Sequence, residues 1–449
     1  MEVEKVSARS ILDSRGFPTV EVCLMAKLNK SNGSELMKFV ASVPSGASTG
    51  SREACELRDG DKKAFLGKGV NKAVENVNTK IAQLLVKEDK IGVERQFELD
   101  EMIEKLDGTK NKTNLGANAI LAVSMALCRA GAAKKNVSLY KHINDLANEN
   151  KKKNGADKEP INMTLPYMFF NVLNGGKHAD NDMSCQEIMF TIVKSDGIWN
   201  GLQKSSEVFH TLKFLIKKQG QSTNVGDEGG FAPNFSPEQG VELILQAAKS
   251  TDTSVKIGFD FAASEFQKDD KYDLDFKLGS RKDPNRVWSS TQLAEYYQKL
   301  VKDVPEICSI EDPFSEDDSK AFSDLMKRLK DTTVQVVADD LTVTNPEIIE
   351  KSAKNFEANA LLVKMNQIGS VGSTLKACQT ARNHGWNLMV SHRSGETSDS
   401  FAADLSVGVG AKCVKFGAPC RGERVAKYNR LAEIEIESNG QLKMHPEKF

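Results

Sequence analysis

The sequence lacks the features of a secreted, membrane-spanning or zinc-binding protein. Its 449 residues contain eight cysteines, none in CxxC spacing, and several lie inside apolar runs where they are expected to be buried free thiols. No apolar run reaches the length of a membrane span, and the first residues, MEVEKVSARS, have no apolar stretch like that of a signal peptide. We therefore expect a cytoplasmic protein without disulfides, zinc or a membrane span.

The sequence also lacks a net charge that would attract a polyanion. The 61 lysines and arginines are balanced by 62 aspartates and glutamates, which leaves a formal net charge of −1. Such a balance provides no extended basic surface, so nucleic acid is not an expected partner. Any anionic ligand must be bound by a local group of side chains.

The length of the chain predicts two domains, because it exceeds what one small core requires. Residues 1–147 begin with alternating apolar positions, which predict an antiparallel sheet, and continue with helical periodicity. We predict an α+β domain there and an α/β barrel over residues 148–449. The lysine-rich segment 148–159 shows no periodicity and is predicted to be a solvated loop near the boundary.

Six short apolar runs in the second part each end on an ionisable residue. Such runs are typical of buried parallel strands, and the last five ends follow one another at intervals of 23 to 28 residues, which suits a strand and its return helix. In a (β/α)8 barrel the carboxyl ends of the strands converge at one mouth. The residues expected to meet there are Asp260, Glu311, Asp339, Lys364, His392 and Lys415.

Three of these strand ends are carboxylates, namely Asp260, Glu311 and Asp339. Hard oxygen ligands without a nearby cysteine favour Mg²⁺ over zinc. Lys364 and Lys415 follow on later strands, and close to a dication in a desolvated mouth their ammonium forms should be disfavoured. A neutral lysine is a general base, and Mg²⁺ with such a base resembles the arrangement by which the enolase superfamily removes a proton next to a carboxylate.

A loop of small residues, Pro44–Gly50, is open to two interpretations. Its glycines and hydroxyls resemble a phosphate-binding loop, but the Gly-Lys-Ser/Thr ending is missing. A flexible surface turn explains the same residues equally well. Two further glycine-flanked segments, 174–178 and 224–230, are also expected to be loops that can move.

A set of motifs resembles the enolase family along most of the chain. The motifs run from DSRG at 13–16 to about residue 429 and include VPSGASTG, NGGKH, NVGDEGGFAPN, SIEDPF, ADDLTVTNP, LLVKMNQIGS, VSHRSGET and GAPCRGER. The resemblance implies a (β/α)8-type barrel with an antiparallel second strand, preceded by an α+β domain. It also implies Mg²⁺-dependent, reversible dehydration of 2-phosphoglycerate to phosphoenolpyruvate in glycolysis and gluconeogenesis, with a lysine base as in the enolase superfamily.

The resemblance implies a role for each residue that matches a family motif. Lys364 would take the C2 proton and Glu228 would protonate the departing C3 hydroxyl. Two Mg²⁺ ions are implied, the second arriving with substrate, and their ligands would be Asp260, Glu311 and Asp339 for the first and Ser48 for the second. The substrate-binding residues would be His178, Glu187, Ser391, His392, Arg393, Ser394 and Lys415.

The sequence departs from the usual family pattern without losing a catalytic group. Lys177 precedes the loop histidine where the family has a serine, and Gly372 and Gly422 occupy positions that usually carry polar side chains. A related enzyme acting on another carboxylate is disfavoured because the run 391–394 is intact. We favour an active enolase, with a diverged paralogue of reduced activity, acting as a binding or regulatory protein, as the alternative.

The resemblance also implies a homodimer. In the family an acidic residue on an early strand faces an arginine near the carboxyl end of the partner. Glu21 matches the acidic residue, whereas Glu433 stands at the arginine position. Since two carboxylates would then face each other, we expect a dimer that is weaker than is usual for the family.

Overall fold

The computed structural model describes residues 2–30, 33–47, 50–87, 92–153 and 159–447, together with Phe449. These residues form a small sheet covered by helices and a closed barrel surrounded by helices. The fold is therefore the predicted combination of an α+β part and a barrel. Ser48, one of the predicted metal ligands, lies outside the described residues.

The first part begins with an antiparallel sheet of three strands, in the order β1-β2-β3. Side chains along the middle strand alternate between the two faces of the sheet. Val20, Val22 and Leu24 are fully buried, while Glu21 and Cys23 point to the other face. The predicted antiparallel sheet is confirmed. The strands are β1 (Glu2–Leu12), β2 (Pro18–Lys30) and β3 (Gly33–Ser42).

Five helices follow the sheet, and α4 contacts β2 and β3. Its many small residues allow this close approach, and most of them are completely buried. The helices are α1 (Asn71–Asn76), α2 (Ala82–Lys87), α3 (Gln96–Asp107), α4 (Ala117–Lys135) and α5 (Leu139–Lys153). A π-helical turn, Val77–Ile81, joins α1 to α2.

Helix α5 corrects the prediction of a loop from residue 148. The helix continues to Lys153 because Ile143 and Leu146 anchor it in the core, and Asn148 accepts a hydrogen bond from the backbone N–H of Ile161 at 2.7 Å. A polar segment that lacks apolar periodicity can therefore be helical when one of its side chains binds a neighbouring segment. Residues 154–158 of the predicted loop lie outside the described residues, and the domain boundary stays a prediction.

The second part contains eight strands that close into a barrel. Strand β5 runs antiparallel to both of its neighbours, and the other adjacent pairs are parallel, as the family resemblance implied. A small antiparallel sheet, β7 to β9, is inserted after β6. The strands are β4 (Tyr167–Asn174), β5 (Glu187–Ile192), β6 (Val255–Asp260), β7 (Gln267–Lys268), β8 (Lys271–Asp273), β9 (Val287–Trp288), β10 (Ile307–Glu311), β11 (Gln335–Ala338), β12 (Ala360–Val363), β13 (Asn387–Ser391) and β14 (Cys413–Lys415).

Helices cover the outside of the barrel, and none among the described residues is both long and apolar enough to cross a bilayer. Two of them start with a complete capping box, at Ser236 and Ser289, which satisfies their first free N–H groups. The helices are α6 (Ile198–Lys218), α7 (Pro237–Ser250), α8 (Ser290–Asp303), α9 (Ser319–Arg328), α10 (Pro346–Lys354), α11 (Met365–Ile368), α12 (Val371–Asn383), α13 (Phe401–Gly408) and α14 (Gly422–Glu437).

The barrel interior is filled by apolar side chains from nearly all of the barrel strands. The ring of Phe449 packs edge-on against Phe169 and Tyr167, with centroids 5.4 and 5.7 Å apart. All eight cysteines of the chain are free, as predicted. The interior residues are Phe169, Met189, Cys308, Val337, Ala360, Leu362, Met389 and Cys413.

Candidate active site

The carboxyl ends of the barrel strands place the predicted side chains at one mouth. Asp260, Glu311 and Lys415 are the last residues of β6, β10 and β14, and the register sets Glu311 beside Asp260. Strand β5 runs the other way, so its first residue, Glu187, lies beside Asp260 at the same mouth. The remaining predicted strand-end residues, Asp339, Lys364 and His392, each directly follow a strand.

Lys415 is buried among three carboxylates. Its Nζ lies 2.7 Å from Glu311 Oε1, 3.1 Å from Asp260 Oδ2 and 3.3 Å from Glu187 Oε2. Burial alone would lower the pKa of Lys415, but the surrounding carboxylates raise it well above its usual value. This lysine is therefore held as an ammonium ion.

Lys364 shows the same balance with a single partner. Its Nζ forms an ion pair with Asp339 Oδ2, and Asp339 Oδ1 accepts a hydrogen bond from Gln367 at 2.8 Å. Burial would lower the pKa of Lys364, but Asp339 raises it above the usual value. The sequence could not pair either lysine with its carboxylate, and the prediction that a nearby dication disfavours the ammonium forms stays a prediction.

Oxygen donors suitable for a metal ion lie in the same region. Asp339 belongs with Asp312 and Asp340 to a group whose carboxylate oxygens lie within 4.8 Å of one another. Asp260 and Glu311 contact Lys415 instead, and the buried Glu311 Oε2 accepts no hydrogen bond from any described residue. An oxygen-only donor set with a free buried lone pair fits a hard dication such as Mg²⁺.

A second buried group combines His178, Glu187 and Glu228, whose ligand atoms also lie within 4.8 Å of one another. His178 Nδ1 lies 3.6 Å from Glu187 Oε1 and 3.5 Å from Glu228 Oε2, and Asn171 donates a hydrogen bond to Glu228 Oε2 at 2.7 Å.

Burial and the adjacent Glu228 raise the pKa of Glu187 well above its usual range. Burial would also raise the pKa of Glu228, but the two neighbouring imidazoles lower it well below its usual range. Two carboxyl groups this close do not ionise independently, so one proton belongs to the pair.

His392 is fixed between Glu228 and a completely buried arginine, Arg424. Arg424 Nη1 lies 2.8 Å from His392 Nδ1, and His392 Nε2 lies 3.3 Å from Glu228 Oε2. Because a guanidinium group only donates, Nδ1 must accept and Nε2 carries the proton. Burial lowers the pKa of His392 to about 3, so the imidazole is neutral.

Arg424 also joins two loops of the site. Its guanidinium donates to the backbone carbonyls of Arg393, Ser394 and Asp227, and so connects the loop after β13 to the loop that carries Glu228. The sequence motif GAPCRGER contains Arg424 but gave no sign of this role, because its partners lie about 30 and about 200 residues away.

The predicted phosphate-binding residues meet the first domain. Arg393 forms a two-pronged ion pair with Glu53, with Nη–Oε distances of 3.0 and 3.1 Å. Ser394 Oγ accepts the backbone N–H of Ala47 at 2.8 Å, and Ser45 and Gly395 exchange two backbone hydrogen bonds. Ser45 and Ala47 therefore join the first part of the chain to the barrel mouth.

The last predicted substrate residue, Ser391, is buried at the end of β13, where its hydroxyl donates to the carbonyl of His392. Comparison with protein families finds two matching models along the chain. A family model described as enolase, N-terminal domain, matches residues 3–143, and one described as enolase, C-terminal TIM barrel domain, matches residues 162–448. The chain belongs to the enolase family.

Membership of the enolase family accounts for the barrel with one reversed strand and classes the chain with the lyases of that family. It does not by itself give the role of each side chain. Arg424, Glu53 and Asn171 are additions from the geometry of this enolase-family protein, since each contacts a predicted site residue through a long-range contact.

Proposed function

We propose that this enolase-family protein catalyses the Mg²⁺-dependent, reversible dehydration of 2-phosphoglycerate to phosphoenolpyruvate. The observation that carries the proposal is that one barrel mouth brings together Lys364, paired with Asp339, the buried Glu187–Glu228 carboxyl pair, and two buried cations, Lys415 and Arg393. These groups match the needs of removing a proton and a hydroxide from neighbouring carbons of an anionic substrate.

Proton removal is assigned to Lys364. Its Nζ takes the C2 proton when it is neutral, the electron pair forms the C2–C3 double bond, and the C3–O bond breaks. Asp339 decides how much of Lys364 is neutral, because its carboxylate raises the pKa of the lysine. A weaker contact between these two side chains would leave more lysine available as a base.

Protonation of the leaving hydroxyl is assigned to the Glu187–Glu228 pair, which delivers its shared proton so that water departs. Glu228 is the member that His178, His392 and Asn171 surround. Because His392 is neutral and fixed with its proton on Nε2, it can donate a hydrogen bond to Glu228 without adding charge.

The metal ligands of the proposal are Asp260, Glu311 and Asp339, with Ser48 for a second ion. Bound Mg²⁺ supplies positive charge next to the substrate carboxylate, where negative charge develops during proton removal. Lys415 lies against Asp260 and Glu311 and provides a fixed positive charge for the same carboxylate. The phosphate is assigned to Arg393 and Ser394.

The test is the ultraviolet absorbance of the conjugated product. Purified protein with 2-phosphoglycerate and Mg²⁺ should show a rise in absorbance that a chelator abolishes, and Lys364→Ala should lose both the rise and exchange of the C2 proton. A matched control, Lys376→Ala, removes an exposed lysine of α12 and should keep full activity. Absence of turnover with retained phosphate binding would instead favour the diverged paralogue.

A further inference from the structure

The loop that carries His178 is held at its outer side by a lysine from the inserted sheet. Lys277 Nζ donates hydrogen bonds to the carbonyls of Gly176 and Ala179 at 2.8 and 2.7 Å, and lies 3.3 Å from Asn181 Oδ1. An ammonium group has three N–H donors, so a single loop uses all of them. The residues bonded to Lys277 flank His178 on both sides.

The inner side of this loop is tied to the barrel by different contacts. Asn181 donates to the carbonyls of Asn174 and Pro233, and the N–H of Gly176 donates to Met183. These bonds fix the two ends of the loop. Lys277 binds the carbonyls of Gly176 and Ala179, while the carbonyl of His178 itself accepts the N–H of Asp227 at 3.3 Å, so Lys277 holds the backbone on both sides of His178.

The turn that carries Lys277 follows a strand, β8, that has a buried anchor. The hydroxyl of Tyr272, in β8, donates to Asp318 at 3.0 Å and accepts the N–H of Ser315 at 3.1 Å, which ties the insertion to the loop after β10. Tyr272 is completely buried. The ammonium group of Lys277 thus bridges a rigid part of the barrel and the loop of His178.

A second lysine contact in this region is weaker. Lys177 of the loop pairs with Glu265 at 2.6 Å, but half of the Lys177 side chain is exposed. Exposed pairs of this kind contribute about 0 to 1 kcal/mol and are screened by salt. The three hydrogen bonds from the partly buried ammonium group of Lys277 therefore stabilise the loop more than the Lys177–Glu265 pair does.

We propose that Lys277 is a positioning residue that acts through His178, by holding the 175–182 loop so that the His178 imidazole lies against Glu187 and Glu228. Only the kinetic test of this inference rests on the proposed function. It predicts that Lys277→Met lowers kcat about ten- to a hundredfold, as expected for losing charge-assisted hydrogen bonds. Lys277→Arg, which keeps the charge but not the three-pronged geometry, should lose less.

The deciding measurement is a double-mutant cycle with His178→Gln. If Lys277 acts through His178, the double variant has the kcat of His178→Gln alone, whereas an additive loss would overturn the proposal. The matched control is Lys282→Met, which removes a lysine of the same insertion that pairs with Asp273 at 2.6 Å and not with the loop. It should keep the wild-type kcat.

Hydrogen–deuterium exchange gives a readout that does not need turnover. Lys277→Met should raise exchange in residues 175–182 and leave the barrel strands and the Lys282→Met variant unchanged. Unchanged exchange in that loop would overturn the inference. If the wild-type protein has no dehydratase activity while the loop loses protection, the proposed function fails and the role of Lys277 in holding the loop stands.

Discussion

Arg393 shows how one side chain of the site can have two competing partners. Both carboxylate oxygens of Glu53 already contact its guanidinium. Burial would lower the pKa of Arg393, but the ion pair with Glu53 raises it, so the side chain stays charged. A phosphate bound by Arg393 must share the guanidinium with Glu53. Glu53 therefore both orients Arg393 and weakens its attraction for an anion.

We expect Glu53→Gln to bind inorganic phosphate several-fold more tightly and to have a lower kcat. The substitution removes the negative charge that opposes the anion and also the two-pronged geometry that orients the guanidinium. Calorimetry with phosphate and steady-state kinetics would measure both effects. Glu98→Gln serves as the control, because it removes a carboxylate that pairs with Arg95 in the first part of the chain. An unchanged phosphate affinity would show that Glu53 does not compete.

His142 predicts a pH-dependent loss of stability outside the site. Its side chain in α5 is completely buried, and neither ring nitrogen has a hydrogen-bond partner among the described residues. Burial lowers its pKa to about 4, so the folded state binds fewer protons than the unfolded state between about pH 6.5 and 4. Stability is therefore present above pH 6.5 and is lost as the pH falls.

Replacing this histidine by glutamine should remove that dependence. Relative to wild type, His142→Gln should gain about 3 kcal/mol between pH 7 and pH 4, measured as the free energy of unfolding in urea at each pH. His210→Gln, which changes an exposed histidine, should show no such gain. A constant difference between His142→Gln and wild type would mean that His142 is protonated in the folded protein.

At the scale of elements, the strands and their ends were predictable from the sequence, and the pairing of charges across them was not. Apolar runs show where each buried strand lies and which polar residue follows it. Because the carboxyl ends of barrel strands meet at one mouth, the convergence of these polar residues was predictable. Whether Lys364 contacts Asp339 depends on side chains 25 residues apart, and no local pattern encodes that contact. The reversed strand β5 was likewise implied by resemblance alone.

Helix α12 explains one departure from the family pattern. The N–H of Gly372 donates to the buried carboxylate of Asp100, in α3, at 2.8 Å, and a Cβ at position 372 would lie 2.9 Å from that same oxygen and 3.1 Å from Phe97. Glycine at this position lets α12 dock closely on α3. The other glycine departure, Gly422, has open space around it.

The two glycines therefore predict opposite outcomes for the same change. Gly372→Ala should reduce the free energy of unfolding by about 1 to 2 kcal/mol, since the added methyl group crowds Asp100 and Phe97 and strains the hydrogen bond to Asp100, which outweighs the better helix propensity. Gly422→Ala should be neutral or slightly stabilising. Urea unfolding of both variants would decide this, and equal effects would show that the α3–α12 contact tolerates a methyl group.

The whole molecule is predicted to form a homodimer, and its charges bear on the strength of that dimer. Within one chain, Glu21 already pairs with Arg9 at 2.7 Å and Glu433 with Arg430 at 2.8 Å. These contacts offset part of the repulsion expected between the two glutamates. The Glu433 side chain is nevertheless 63% exposed and can reach a partner.

We expect Glu433→Arg to strengthen the dimer at neutral pH, because it places a cation opposite Glu21. The wild-type dimer should tighten as the pH falls toward the range where carboxylates are protonated. Sedimentation velocity at several protein concentrations measures the dissociation constant in each case. A constant that neither pH nor Glu433→Arg alters would show that Glu21 and Glu433 do not meet.

The contacts of Ala47 and Glu53 with the barrel mouth have a consequence for refolding kinetics. All three tryptophans, Trp199, Trp288 and Trp386, lie in the second part of the chain, whereas Ala47 and Glu53, which bind Ser394 and Arg393, belong to the first. Tryptophan fluorescence therefore reports when the barrel forms, and catalysis reports when the two parts have joined. The delay between the fluorescence change and the return of activity measures how long the folded barrel takes to join the first part of the chain.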